Sequence, residues 1–190
     1  MSEEMLVRHC SPTLAGLKTA NLVNCPCTSH EEFAANLAQL NRRLNPRGVH
    51  LRLLRWGKES ALVYVYRPDK LCADLCGEAW SLLGQEGYLH PDASSCLRCL
   101  SQKLRQEGTF PHEIGLFLGY PLEDVVGFIE NHGQHCKCVG TWKVYGDEKA
   151  ARKTFARYKK CTDVYERLYH EGYPLTRLTV QGKPVGKETV

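Results

Sequence analysis

Val49-His-Leu-Arg-Leu-Leu-Arg-Trp-Gly-Lys-Glu-Ser-Ala-Leu-Val-Tyr-Val-Tyr66 decides the fold class. Val49, Leu51 and Leu53 alternate with His50 and Arg52, the two-residue period of a strand with one buried face. After Gly57-Lys-Glu-Ser60 comes Ala61-Leu-Val-Tyr-Val-Tyr66, rich in β-branched and aromatic residues, so the two runs predict an antiparallel hairpin that ends at Pro68-Asp69. Outward from it the period changes to that of helices. Ser29 with Glu32 three residues on is a capping box, and Phe33, Leu37, Leu40 and Leu44 follow at helical spacing until Pro46-Arg-Gly48 stops them. Ser11-Pro12 reads as N-cap and first helical residue of a short helix through Leu14, Leu17 and Leu22, which puts Cys10 just before a helix N-terminus.

On the other side, Leu71, Leu75, Ala79 and Leu82 trace one helix up to Gly84 or Gly87, and a second runs from about Ser95 to Gly108. Two helices flank Tyr120-Pro121, the later one carrying Leu122, Val125, Val126 and Ile129 before Gly133. Thr141 to Tyr145 reads as a strand. The longest helix places Ala151, Phe155, Tyr158, Cys161, Tyr165 and Leu168 on one face until Gly172, and a short strand is expected over Leu175 to Val180. The expectation is α+β: a mainly helical single domain over 1–180 around a small antiparallel sheet, with 181–190 a disordered tail.

With 190 residues, 43% hydrophobic and 24% charged, the chain can bury one sizeable core or two small ones. No apolar run approaches bilayer length, and the first residues are acidic rather than a basic flank before a hydrophobic stretch, so a cytoplasmic protein without membrane contact is expected. A net charge of +4, with both signs interspersed, demands no polyanion.

Ten cysteines exceed what packing needs, and without a secretory leader they point to buried thiols, redox groups or metal ligands. His132, His135, Cys136 and Cys138 place four soft or borderline ligands within seven residues, a density that permits zinc, iron or copper. Cys96-x-x-Cys99 would have to supply a second ligand pair, but on a helix its thiols diverge. Cys72 and Cys76 share a helix face beside Leu71 and Leu75, which favours core packing; Cys25-Pro-Cys27 reads as short and exposed.

The candidate site centres on Phe110-Pro-His-Glu-Ile-Gly-Leu-Phe-Leu-Gly-Tyr-Pro121. Pro111 is expected to open a short helix, leaving His112 and Glu113 in its first turn at the mouth of an apolar segment. The competing structural reading has Glu113 complementing the helix dipole while His112 caps or packs. Cys10 is the thiol to which a helix N-terminus and neighbouring His9 would lend thiolate character. If the fold brought Cys10, His112 and Glu113 together, they would form an activated-nucleophile arrangement.

Taken together, His9-Cys10-x-Pro12 with Lys18, the Phe110–Pro121 block with Leu122-Glu-Asp-Val125, Gly140-Thr-Trp-Lys-Val-Tyr-Gly-Asp147 and Phe155-x-x-Tyr-x-Lys-Cys161 resemble the bacterial domain of unknown function family 3793. The resemblance spans nearly the whole chain and implies an origin in anaerobic, clostridial-type bacteria, with no established activity. The positions matching its motifs are Cys10, Pro12, Lys18, His112, Glu113, Gly119, Trp142, Lys143 and Cys161, whereas Cys72, Cys76, Cys96, Cys99 and Cys136 stand outside them.

Three functional classes remain open. The leading one is a thiol-dependent protein, an enzyme or a handler of zinc or iron, using Cys10 with His112 and Glu113. The second is a noncatalytic interaction or regulatory module whose partner is an unidentified small molecule or protein. The third, nucleic-acid binding through helices flanking Gly119-Tyr-Pro121, is disfavoured because the second helix carries Glu123, Asp124 and Glu130 and no Arg or Lys.

Overall fold

The computed structural model describes residues 1–106 and 110–182, and they gather into two compact units, Met1–Leu71 with Cys161 onward, and Cys72–Lys160. The sequence gives no hint of this division. Both crossings run inside helices, α3 (Pro68–Asp74) and α8 (Glu148–His170), so no glycine- or serine-rich linker marks either boundary. The chain is α+β and mainly helical, as its periodicities indicate.

In the first unit, α1 (Glu3–Leu14) precedes β1 (Ala20–Pro26), α2 (His30–Leu44), a 3-10 turn over Asn45–Arg47, β2 (His50–Trp56) and β3 (Ser60–Tyr66). The expected hairpin is present, with β3 at the centre of an antiparallel sheet ordered β1-β3-β2. A bulge between Leu53 and Arg55 changes which leucine goes inside: Leu54 is fully buried and Leu53 only partly. The Ser29 N-cap forms, since Ser29 Oγ accepts from the Glu32 amide at 3.3 Å, and Phe33, Leu37, Leu40 and Leu44 are all buried.

The N-terminal reading needs correction. Ser11-Pro12 does not start a helix; α1 begins eight residues earlier, capped by Ser2 Oγ, which accepts from Met5 N at 3.1 Å, with Glu3 and Glu4 in its first turn. Pro12 sits near the end of α1, where its missing N–H forfeits only one of the last intrahelical bonds. Gly16, at φ +72°, then turns the chain, and Leu22 lies in β1. Pairing with β3 buries Cys25, and Cys27 is buried just beyond the strand, so both cysteines of Cys25-Pro-Cys27 are interior and only Pro26 between them is exposed. Residues 175–178 likewise form a helical turn, α9 (Leu175–Leu178), not a strand; Thr179 Oγ1 donates to the Leu175 carbonyl at 2.8 Å and closes it. The tail was expected from 181, but Gln181 and Gly182 donate to the carbonyls of Pro46 and Arg47 at 2.8 and 3.0 Å. The remainder of that segment, 183–190, lies outside the described residues, as does the helix stop at Gly108.

The second unit contains α4 (Glu78–Gln85), α5 (Ala93–Lys103), α6 (Ile114–Phe117), α7 (Leu122–Glu130) and a small hairpin of β4 (Cys138–Val139) and β5 (Lys143–Val144), besides parts of α3 and α8. Gly77 at φ +60° splits the single helix expected over Leu71–Leu82 into α3 and α4. Cys72 and Cys76 end up exposed at that break, not in a core. No described helix is long and apolar enough to cross a membrane.

Candidate functional site

Cys10 belongs to the first unit, His112 and Glu113 to the second. Cys10 lies in the C-terminal half of α1, with no exposed surface, inside the core cluster of its unit. That placement is not the helix N-terminus expected for it. Thiolate stabilisation needs the amide end of a helix, and this thiol is nearer the carbonyl end in an apolar interior, so burial pushes its pKa far up despite the opposing charge of Lys18. Lys18, only 4% exposed, is pulled down by the same burial from the ordinary 10.5 to about 8. Cys161 is also buried, and desolvation raises its thiol to about 11.

His112 and Glu113 diverge although adjacent. Pro111, His112 and Glu113 form a turn ahead of α6, with Ile114 N donating to Pro111 O and Gly115 N to His112 O, both at 3.3 Å, so α6 begins after them rather than at Pro111. Glu113 turns inward, 3% exposed, where Tyr88 OH donates to it at 3.0 Å and Lys103 Nζ pairs with it at 2.9 Å. Lys103 also lies 5.0 Å from the Tyr88 ring centroid. Burial first, then the Glu113 charge and hydrogen bond, push the Tyr88 phenol well above its ordinary range. Glu113 thus ties α5 and the Tyr88 segment to the turn, which is neither of the two roles the sequence offers for it.

His112 stays exposed, its ring 5.0 Å from that of Phe128 on α7 and tilted by 59°. There it lines a cavity of about 450 Å³ enclosed by the turn, α6, α7 and the β4–β5 hairpin. Ile114, Val125, Phe128 and Trp142 supply apolar wall. Trp142 is held on three sides: it stacks on Tyr120 at 4.8 Å, meets the Phe155 ring edge-on at 4.6 Å, and its Nε1 donates to Asp124 Oδ2 at 2.6 Å. Asp124, 3% exposed, accepts two more bonds at Oδ1, from Tyr145 N at 2.7 Å and Gly146 N at 2.8 Å. A buried carboxylate with three N–H donors is satisfied, and it pins the hairpin to α7. Lys143 Nζ donates to Gly133 O at 2.6 Å and lies 5.8 Å from the Phe128 centroid, on the cavity lining. Gly140 is required here because a Cβ would run into the Phe155 ring.

The proposed metal ligands are not gathered. Among the described residues no three His, Cys, Asp or Glu side chains converge to hold a metal ion, His132, His135, Cys136 and Cys138 included. His132 and His135 both occupy the left-handed region, φ +49° and +58°, so the chain reverses within the stretch and closeness in sequence does not become convergence in space. Asp124, Tyr88 and Lys103 were not singled out from the sequence as site-forming. The only signal for Asp124 is its place in the first turn of α7, which reads as dipole complementation until Trp142 and Gly146 are found above it.

The chain belongs to the family described as protein of unknown function, DUF3793. Its model matches residues 6–179, a span that includes the cavity-lining His112, Trp142 and Lys143. No curated protein and no solved structure matches the chain.

Proposed function

We propose that this DUF3793 protein is a noncatalytic binding module that takes a small apolar molecule into the cavity of the second unit. The observation that carries this reading is an aromatic cavity whose lip leaves large apolar side chains in water: Phe110 is 46% exposed and Val139 67%. A concave site walled by aromatic residues, with a few polar groups at its mouth, has the form of a ligand pocket. A thiol-dependent reaction at Cys10 receives less support, because burial keeps that sulfur protonated and out of reach of a substrate.

Titration with N-phenyl-1-naphthylamine, whose emission rises in apolar surroundings, tests the pocket directly. One saturable site is expected, and Thr141→Trp, which fills the cavity from an exposed position, should remove it. Absence of saturable binding in the native protein, or binding that survives Thr141→Trp, would overturn the reading.

A further inference from the structure

We infer that the cavity is specific for anionic ligands: a planar apolar body carrying a carboxylate or sulfonate that stays at the mouth, against Lys143 and His112. This rests on the pocket reading above and adds the charge of the ligand. Lys143 and His112 flank one and the same wall ring, Phe128, the ammonium 5.8 Å and the imidazole 5.0 Å from its centroid. An ammonium has three donors, and the Gly133 carbonyl takes one. The His112 ring packs against Phe128 on the cavity lining and makes no side-chain hydrogen bond among the described residues, so its ring N–H is left for a ligand.

Both groups are exposed. An anion held there keeps part of its hydration while its apolar body enters the pocket, which avoids the cost of burying a bare charge. Asp124 is the sole carboxylate among the lining residues, and its oxygens are already met by one indole and two backbone N–H groups. Its charge is spent on the hairpin. A cationic ligand would meet Lys143 at the entrance and find no open carboxylate inside.

The test compares two probes with one skeleton, N-phenyl-1-naphthylamine and 1-anilinonaphthalene-8-sulfonate, which differ by the sulfonate. The sulfonate is expected to bind about tenfold tighter, as a charge-assisted hydrogen bond at a partly wet site implies. Lys143→Met should bring the ratio of the two affinities towards one and Lys143→Arg should restore it. His112→Phe, which keeps the ring contact with Phe128, should lower the ratio about threefold; it stands as an independent readout if Lys143→Met does not fold. Equal affinities in the native protein, or a ratio untouched by both Lys143→Met and His112→Phe, would overturn the anion assignment while leaving the pocket reading intact. Failure of both probes to bind would defeat the pocket reading itself.

Discussion

Each unit holds a buried charge answered chiefly by backbone groups, Arg67 in the first and Asp124 in the second, and the two have opposite signs. In the first unit Arg67, 2% exposed, donates from Nε to Thr13 O at 2.6 Å and from Nη2 to Leu14 O and Val180 O at 2.6 and 2.8 Å. Thr13 and Leu14 end α1, which has no basic residue in its last turn, so Arg67 supplies from a strand end the cation that a helix C-terminus favours. In the second unit Asp124 collects N–H donors from the hairpin and from Trp142. Arg67 draws α1 and the segment after α9 together in a solid interior, whereas Asp124 holds one wall of a cavity upright. The same physics, a charge satisfied by peptide dipoles, closes one region and keeps the other open.

That contrast can be broken at Arg67 first. Arg67→Met would remove the charged donor from Thr13 O, Leu14 O and Val180 O, leaving the first two only their backbone donors, Gly16 N and Val180 N, and urea denaturation is expected to show a loss of about 4 kcal/mol. Arg67→Lys should recover less than half, because a single ammonium cannot reproduce the planar fork.

Lys18 gives the next largest effect, and its sign is fixed by linkage. Its folded pKa of about 8 lies below the ordinary 10.5, so between those values the unfolded chain binds more protons and stability contributed by this group rises with pH. The contribution is complete above the unfolded pKa and lost as pH falls through about 8. Lys18→Met should therefore flatten that rise, and the difference between native and variant denaturation curves should change by up to about 3 kcal/mol from pH 8 to 10.5.

Asp124→Asn should cost about 2 kcal/mol, since the amide can still accept from Tyr145 N and Gly146 N but opposes an NH2 group to the Trp142 indole N–H. It should also weaken N-phenyl-1-naphthylamine binding, whereas the Arg67 variants should affect binding only where they unfold the protein. The smallest effect sharpens the cysteine map. Brief alkylation read by mass spectrometry should modify Cys72 and Cys76, which are exposed, well before Cys10, Cys25, Cys96 and Cys161, which are buried. Rapid modification of Cys10 would revive the thiol-dependent reading.

Local patterns were sufficient for part of this architecture. The hairpin strands, the Ser29 cap with its leucine stripe, α7 and the long α8 are written in periods of two and 3.6 that a single face can satisfy. The errors fall where a long-range partner outweighed local preference. Leu22 joined β1 because β3 offered it a ladder, residues 175–178 coiled instead of extending, and Gly77 broke a helix whose leucines alone would have continued it. In the site, His112 was legible as a polar residue at the edge of an apolar block. The roles of Glu113 and Asp124 were not, because each is defined by donors far along the chain: Tyr88 lies 25 residues from Glu113, and Trp142 18 from Asp124.

By itself the sequence determined the fold class, most of the elements and the family, since these depend on side-chain periodicity, caps and motif residues read in order along one chain. Tertiary structure alone decided that Cys10 is a buried interior thiol, that Arg67 and Asp124 are buried charges met by backbone groups, and that His112, Trp142 and Lys143 share one cavity. Burial and hydrogen-bond satisfaction depend on which distant groups arrive beside a residue, and that is a property of the packed chain, not of any stretch of it.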